Sequence, residues 1–177
     1  MRRLWMTIFF LFILSLSNTP LATAQFSEAG VEKLRVAVNA PDLTLKELGG
    51  GKISLKELRG KIILLNFFAT WCPHCRRESA SFEKLHEEFK DTDLVLLKVA
   101  SSDKEQNLLK YKNEFNISIP ILIDGKGSGT DAYGVSIIPE TFFINREGKI
   151  LGRARKEVDW TSSNMKNLIQ YLLKEKR

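Results

Sequence analysis

Cysteine is scarce in this chain of 177 residues, which has only Cys72 and Cys75. Two are too few to staple a small scaffold, so a hydrophobic core must hold the fold. Histidine is equally rare, with His74 and His86. A structural zinc site needs four ligands, and His74, lying inside the cysteine pair, is poorly placed to join both cysteines on one ion. No metal and no organic cofactor are expected. No apolar run reaches the ~20 residues that span a bilayer; the most apolar stretch, Leu4–Leu16, has 13 residues. Neither sign of charge dominates, since 27 Lys and Arg against 21 Asp and Glu leave a formal +6. That excess is dispersed and carries no footprint for nucleic acid. Internal repeats and low-complexity linkers are missing too. With 44% apolar and 27% charged residues, the chain is not a disordered tail, a collagen-like fibre or a polytopic membrane protein. Its length suits one domain.

The start of the chain reads as an address. Arg2 and Arg3 precede the apolar Leu4–Leu16, and Ala22-Thr23-Ala24 is a small-x-small site for cleavage before Gln25. The competing reading is an uncleaved anchor. Residues 1–24 are therefore expected to be a signal peptide, residues 25–37 a leader of weak pattern, and residues 38–177 the folded domain. A periplasmic or otherwise extracytoplasmic location follows, where disulfides form and persist.

Periodicity orders the rest. Leu43–Leu45 and Lys52–Ser54, separated by Gly49-Gly50-Gly51, form an expected hairpin. Ser54-x-x-Glu57 resembles a capping box on a very short helix. Lys61–Phe68 and Leu94–Ala100 are near-continuous apolar runs of strand length, as in parallel strands covered on both faces. A helix is expected over Pro73–Lys90, with Phe82, Leu85 and Phe89 on one face. Ser102-x-x-Glu105 suggests another capped helix to Phe115. Pro120–Asp124 is a short strand, followed by a glycine-rich loop over Gly125–Gly129. Thr141–Asn145 and Ile150–Arg155 make a hairpin. A last helix over Ser162–Glu175 carries an apolar stripe including Met165, Leu168 and Leu172. The order describes one α/β sheet with helices on both faces.

Cys72-Pro73-His74-Cys75 is the constellation that carries chemistry. It follows a buried strand and opens a helix, where unpaired N–H groups and the macrodipole stabilise a thiolate. Two intervening residues let Cys75 turn back on Cys72, and Pro73 suits the first helical turn. An inert structural disulfide remains an alternative, although so short a loop constrains the unfolded chain little. Covalent haem attachment needs His directly after the second Cys, and that position is Arg76.

Lys61–Glu78, together with Ala40-Pro41-Asp42 and Ile138–Gly148, resembles the thioredoxin-like superfamily, and most of all the TlpA/ResA branch of extracytoplasmic thiol–disulfide oxidoreductases. The resemblance implies a thioredoxin-like α/β fold: a central mixed sheet flanked by helices, with an added N-terminal β-hairpin. It implies a redox-active Cys72–Cys75 disulfide, with Cys72 attacking and Cys75 resolving. Pro139 matches the family's cis-proline, exposing the Ile138 backbone to an extended substrate, with Trp71 and Pro73 beside it. Glu78 matches a carboxylate that could accept the buried thiol's proton; the alternative is a solvated helix carboxylate. Asn66 stands where ordinary thioredoxins have a buried Asp and cannot take a proton. His74, between the cysteines, is expected to tune the couple. With Asn66 it predicts a reduction potential less negative than the roughly −270 mV of thioredoxin. His86 is expected at the surface.

The implied activity is thiol–disulfide exchange with cysteine-containing extracytoplasmic proteins, in the reducing direction. Apocytochrome c is one expected substrate, and a membrane thiol–disulfide reductase is the expected electron donor. A disulfide-forming oxidase is the alternative direction. A peroxiredoxin-like peroxidase is the weaker alternative, because Ala69 occupies the position where that site needs Thr.

Overall fold

The computed structural model describes residues 19–175. The expected signal segment therefore lies outside the described residues up to position 18. Helix α1 (Thr19–Glu28) runs across Ala24–Gln25, the expected cleavage point. Strand β1 (Glu32–Asn39) follows. Residues 25–37, read from the sequence as a leader, are thus built into the domain. Phe26 and Val31 are buried in its core, and the Phe26 ring meets Phe143 edge-on with centroids 6.3 Å apart. Gly152 accommodates that ring, because a Cβ there would lie 3.0 Å from it and 2.8 Å from the Glu32 carbonyl oxygen. β1 shows little pattern because it is an edge strand: Val36 is 74% exposed, so half of its alternation faces water.

The remaining elements are β2 (Thr44–Glu47), β3 (Lys52–Ser54), a 3-10 turn (Leu55–Leu58), β4 (Ile62–Phe68), α2 (Pro73–Phe89), β5 (Leu94–Ser101), α3 (Glu105–Glu114), β6 (Ile121–Asp124), α4 (Ser128–Ala132), β7 (Glu140–Ile144), β8 (Lys149–Ala154) and α5 (Ser163–Lys174). The strands join one sheet in the order β1-β8-β7-β4-β5-β6-β2-β3. β4, β5 and β6 are mutually parallel and β7 runs against β4, which is the mixed sheet expected. The N-terminal hairpin β2–β3 extends it by pairing antiparallel to β6. Gly49, Gly50 and Gly51 turn that hairpin at φ values of 102°, 123° and 78°, a region L side chains avoid.

Two expected caps are absent. Ser54 makes no side-chain cap bond to its 3-10 turn, and Ser102, at φ 53°, lies outside α3, whose N-cap is Lys104. Asp103 is used there instead, its carboxylate accepting from Lys104 N at 3.1 Å. Ser162 does cap α5, accepting from Met165 N at 3.3 Å. The glycine-rich loop contains α4, pinned by Asp124, which accepts from Gly129 N and Thr130 N.

Alternation along the central strands sorts the core. Ile62, Leu64 and Phe68 of β4 and Leu96 and Ala100 of β5 pack with α2 and α5 through Phe82, Leu85, Leu168 and Leu172. Ile63, Leu65 and Phe67, with Leu97 and Val99, pack with Leu43, Leu55, Tyr133 and Phe142 on the other face. Each large apolar side chain fully buried this way contributes about 1.5–3 kcal/mol. Two polar side chains interrupt the α2 face, Asn66 of β4 and Lys98 of β5. Both are fully buried, and they are register partners. Among the described residues, no helix is long and apolar enough to cross a membrane.

Candidate active site

β4 delivers the chain to the cysteine pair, and a short turn seats it. Thr70 N donates to Asp103 Oδ2 at 2.7 Å. Cys72 is the N-cap of α2 and Pro73 its first residue, where no N–H is needed. Cys72 and Cys75 form a disulfide with Cα atoms 5.3 Å apart. Cys72 Sγ accepts from Cys75 N at 3.3 Å and lies 3.7 Å from the Ile138 carbonyl oxygen. The N–H contact is the one a thiolate at this helix start would use. The Ile138–Pro139 peptide is cis. Around the disulfide, Trp71 and Ile137 are 67% and 55% exposed. Cys72 retains 4% exposure and Cys75 none. In this oxidised state both sulfurs are covered, and Cys72 is the more accessible.

Beneath α2 lies a polar row. Thr141 of β7, Asn66 of β4 and Lys98 of β5 are neighbours in register across three strands. Asn66 Nδ2 donates to Thr141 Oγ1 at 2.9 Å and to Glu78 Oε1 at 3.0 Å, while Asn66 Oδ1 accepts from Lys98 Nζ at 3.1 Å. Glu78, on the turn of α2 after Cys75, also accepts from Val158 N and Trp160 Nε1, each at 3.3 Å. Glu78 is buried. Burial pushes its carboxyl above the ordinary value, while the Lys98 ammonium and the three donors pull it back. Burial lowers Lys98 to about 8 against the pull of Glu78.

A family model described as AhpC/TSA matches residues 36–153. The chain belongs to the AhpC/TSA family. Thiol-disulfide oxidoreductase ResA of Halalkalibacterium halodurans is 33% identical over 150 residues, covering 85% of either chain. Thioredoxin-like protein YneN of Bacillus subtilis is 38% identical over 125 residues, covering 70% of this chain and 71% of its own. Among solved structures, a thiol:disulfide interchange protein of the thioredoxin family from Chlorobium tepidum superposes with a TM-score of 0.67 at 22% identity. It covers 79% of this chain and 99% of its own, and it shows the thioredoxin-like fold. With its cysteine pair bonded at the tip of α2, this AhpC/TSA-family chain is a thiol–disulfide oxidoreductase.

Within this family member the structure brings Trp71, Cys72, Pro73, Cys75, Ile138 and Pro139 to one end of the sheet, with Glu78 directly behind. The solvated alternative for Glu78 does not hold, because the carboxylate faces the sheet rather than water. His74 departs from expectation. Its Nδ1 lies 2.9 Å from Glu157 Oε2, and Arg77 Nε donates to the same carboxylate at 3.0 Å. The ring engages the loop after β8, not the Cys72 sulfur. An imidazole at the second helical position points outward, and Glu157 is the anion it meets there. The sequence reading missed Lys98, Trp160 and Glu157. A lysine amid the apolar Leu94–Ala100 was a legible signal for the first. The other two arrive from a loop about 80 residues downstream, and no local pattern announces them.

Proposed function

We propose that this protein is an extracytoplasmic protein-disulfide reductase in which Cys72 attacks and Cys75 resolves. The observation that carries this reading is the Cys72–Cys75 disulfide at the start of α2, with Cys72 Sγ accepting from Cys75 N. In the reduced protein the Cys72 thiolate attacks one sulfur of a substrate disulfide. A mixed disulfide forms, and the first substrate sulfur leaves as a thiolate that takes a proton from water. The Cys75 thiol passes its proton to Glu78, and the Cys75 thiolate attacks Cys72 Sγ. The Cys72–substrate bond breaks and the second substrate thiolate leaves. Two electrons have moved to the substrate and the Cys72–Cys75 disulfide has closed. Glu78 then returns its proton to the leaving thiolate or to water.

Trp71, Ile137 and the Ile138 carbonyl frame the disulfide as a partly apolar platform. An extended cysteine-bearing segment can lie there and hydrogen-bond the backbone before the cis proline. His74 is proposed to tune the couple through the charge it shares with Glu157. Apocytochrome c is the proposed substrate, its paired haem-attachment cysteines being disulfides of suitable size. A membrane thiol–disulfide reductase is the proposed donor that reopens the site. Residues 1–24 are proposed to direct export, with cleavage before Gln25 leaving Phe26 in the core, or to remain as an anchor. N-terminal sequencing of exported protein distinguishes the two.

The reading is tested by insulin reduction with dithiothreitol, comparing the parent with Cys72→Ser. Equal rates would refute it. Cys75→Ser should accumulate mixed disulfides with cysteine-containing partners, while Cys72→Ser should not. A peptide carrying the disulfide of a haem-attachment motif should be trapped by Cys75→Ser if apocytochrome c is the substrate.

A further inference from the structure

Lys98 is a buried titratable group that the exchange steps above leave without a task. It is fully buried on the α2 face of β5. Its Nζ lies 4.5 Å from the Phe68 ring centre, 5.1 Å from that of Phe82 and 5.9 Å from that of Tyr111. Aromatic faces attract a cation, so the cage suits an ammonium. Among the described residues its one hydrogen bond runs to Asn66 Oδ1, at 3.1 Å. An ammonium only donates, so Lys98 fixes which way the Asn66 amide faces: the oxygen toward Lys98, the NH₂ toward Glu78. Glu78 then receives three donors and has no acceptor facing it, the arrangement a carboxylate prefers over a carboxylic acid.

We propose that Lys98 is a positioning residue: acting across Asn66, by its charge and by the amide orientation it imposes, it holds Glu78 ready to accept the Cys75 proton. It thereby sets the lower pH limit of the resolving step. This rests on the reading of Glu78 as that acceptor. The other groups facing the cluster are accounted for. Glu83, the other carboxylate acting on Lys98, is engaged by the Ser118 and Ile119 N–H groups of the α3–β6 loop. The Tyr111 hydroxyl of α3 is bonded to Ser79 and, pushed up to about 12, stays protonated. Arg76 acts on Tyr111. Thr141 supplies a hydroxyl to Asn66 from β7. Lys98, lowered to about 8, keeps its ammonium below that pH.

The experiment mixes reduced protein with saturating oxidised glutathione and follows closure of the Cys72–Cys75 disulfide from pH 4.5 to 8 in about half-unit steps. In the parent the rate should rise with pH as Glu78 ionises. Lys98→Met should move that midpoint upward by about one unit, slowing closure about tenfold on the acidic limb. Lys98→Gln, which keeps a donor for Asn66 but loses the charge, should shift it less. Glu78→Gln should lose the limb, and adding Lys98→Met to it should change nothing more. Carbon NMR of the labelled Glu78 carboxyl in each folded variant reads the same midpoint without turnover. An unmoved midpoint in both Lys98 variants overturns the proposal. So does a Lys98→Met effect of equal size in the Glu78→Gln background. If Glu78→Gln itself keeps the limb, the acceptor reading of Glu78 fails instead.

Discussion

The two sides of the Cys72–Cys75 disulfide are built from different materials. Toward solvent lie Trp71, Ile137 and His74, exposed on a turn, a loop and the first helical turn, with the half-buried Glu157 beside His74 and Arg77. Toward the sheet lie Cys75, Glu78, Asn66 and Lys98, all buried, the last three linked by hydrogen bonds across α2, β4 and β5. A charge on the outer side is screened by water and its ion pair is worth about 0–1 kcal/mol. A charge on the inner side is desolvated, and removing one partner costs several times as much. Substitutions on the outside should therefore cost the fold little, whereas substitutions on the inside are tied to folding.

Substitutions that separate the sides test this contrast. The largest effect should come from the cysteines themselves. Cys72→Ser should lower the catalysed part of insulin reduction, above the dithiothreitol background, by more than about a thousandfold, because no other side chain of the protein supplies the attacking sulfur. Glu78→Gln should slow resolution by about a hundredfold near neutral pH, in the usual range for one proton-transfer group, with the initial attack on substrate unchanged. Stopped-flow separation of the two phases checks it.

Stability should also record the inner side. Lys98 is lowered to about 8 in the fold and titrates near 10.4 when unfolded. Between those values the unfolded chain binds more protons, so this group makes stability rise with pH. Urea unfolding from pH 7.5 to 10.5 should show the parent gaining on the order of 3 kcal/mol relative to Lys98→Met. A constant difference would mean that Lys98 is not desolvated as described.

Outer changes should be smaller. Trp71→Ala should raise KM for protein substrates about tenfold and leave the urea midpoint unchanged, since that ring is mostly solvent-exposed. Glu157→Gln should make the reduction potential less negative by no more than about 20 mV, the equivalent of one exposed ion pair on a two-electron couple. Equilibration with glutathione measures it, and a shift several times larger would erase the distinction between the sides.

Much of this site is legible in the sequence. Cys72-Pro73-His74-Cys75 at a strand-to-helix junction needs only sequence neighbours and the geometry of a helix start. The apolar runs of β4 and β5 identify themselves because both faces are covered. β1 did not, because one of its faces is wet, and α1 gives no amphipathic signal. The capping motifs at Ser54 and Ser102 misled, since a 3-10 turn and an αL residue do not present the bond the motif assumes. His74 lies at the helix end the sequence indicates, but its ring meets Arg77 and Glu157, the latter 83 residues away, rather than the Cys72 sulfur.

The redox pair, its order along the chain and the helix tip that supports it can be read from the residues alone, because they depend on contacts within a few residues. That Glu78 faces inward is a result of packing. The same is true of Asn66, which links it to Lys98, and of Val158 and Trp160, which close over it. Those partners lie 12 to 82 residues from it or from each other. Burial and donor direction at that distance are properties of the packed sheet and helix, and no local pattern of residues contains them.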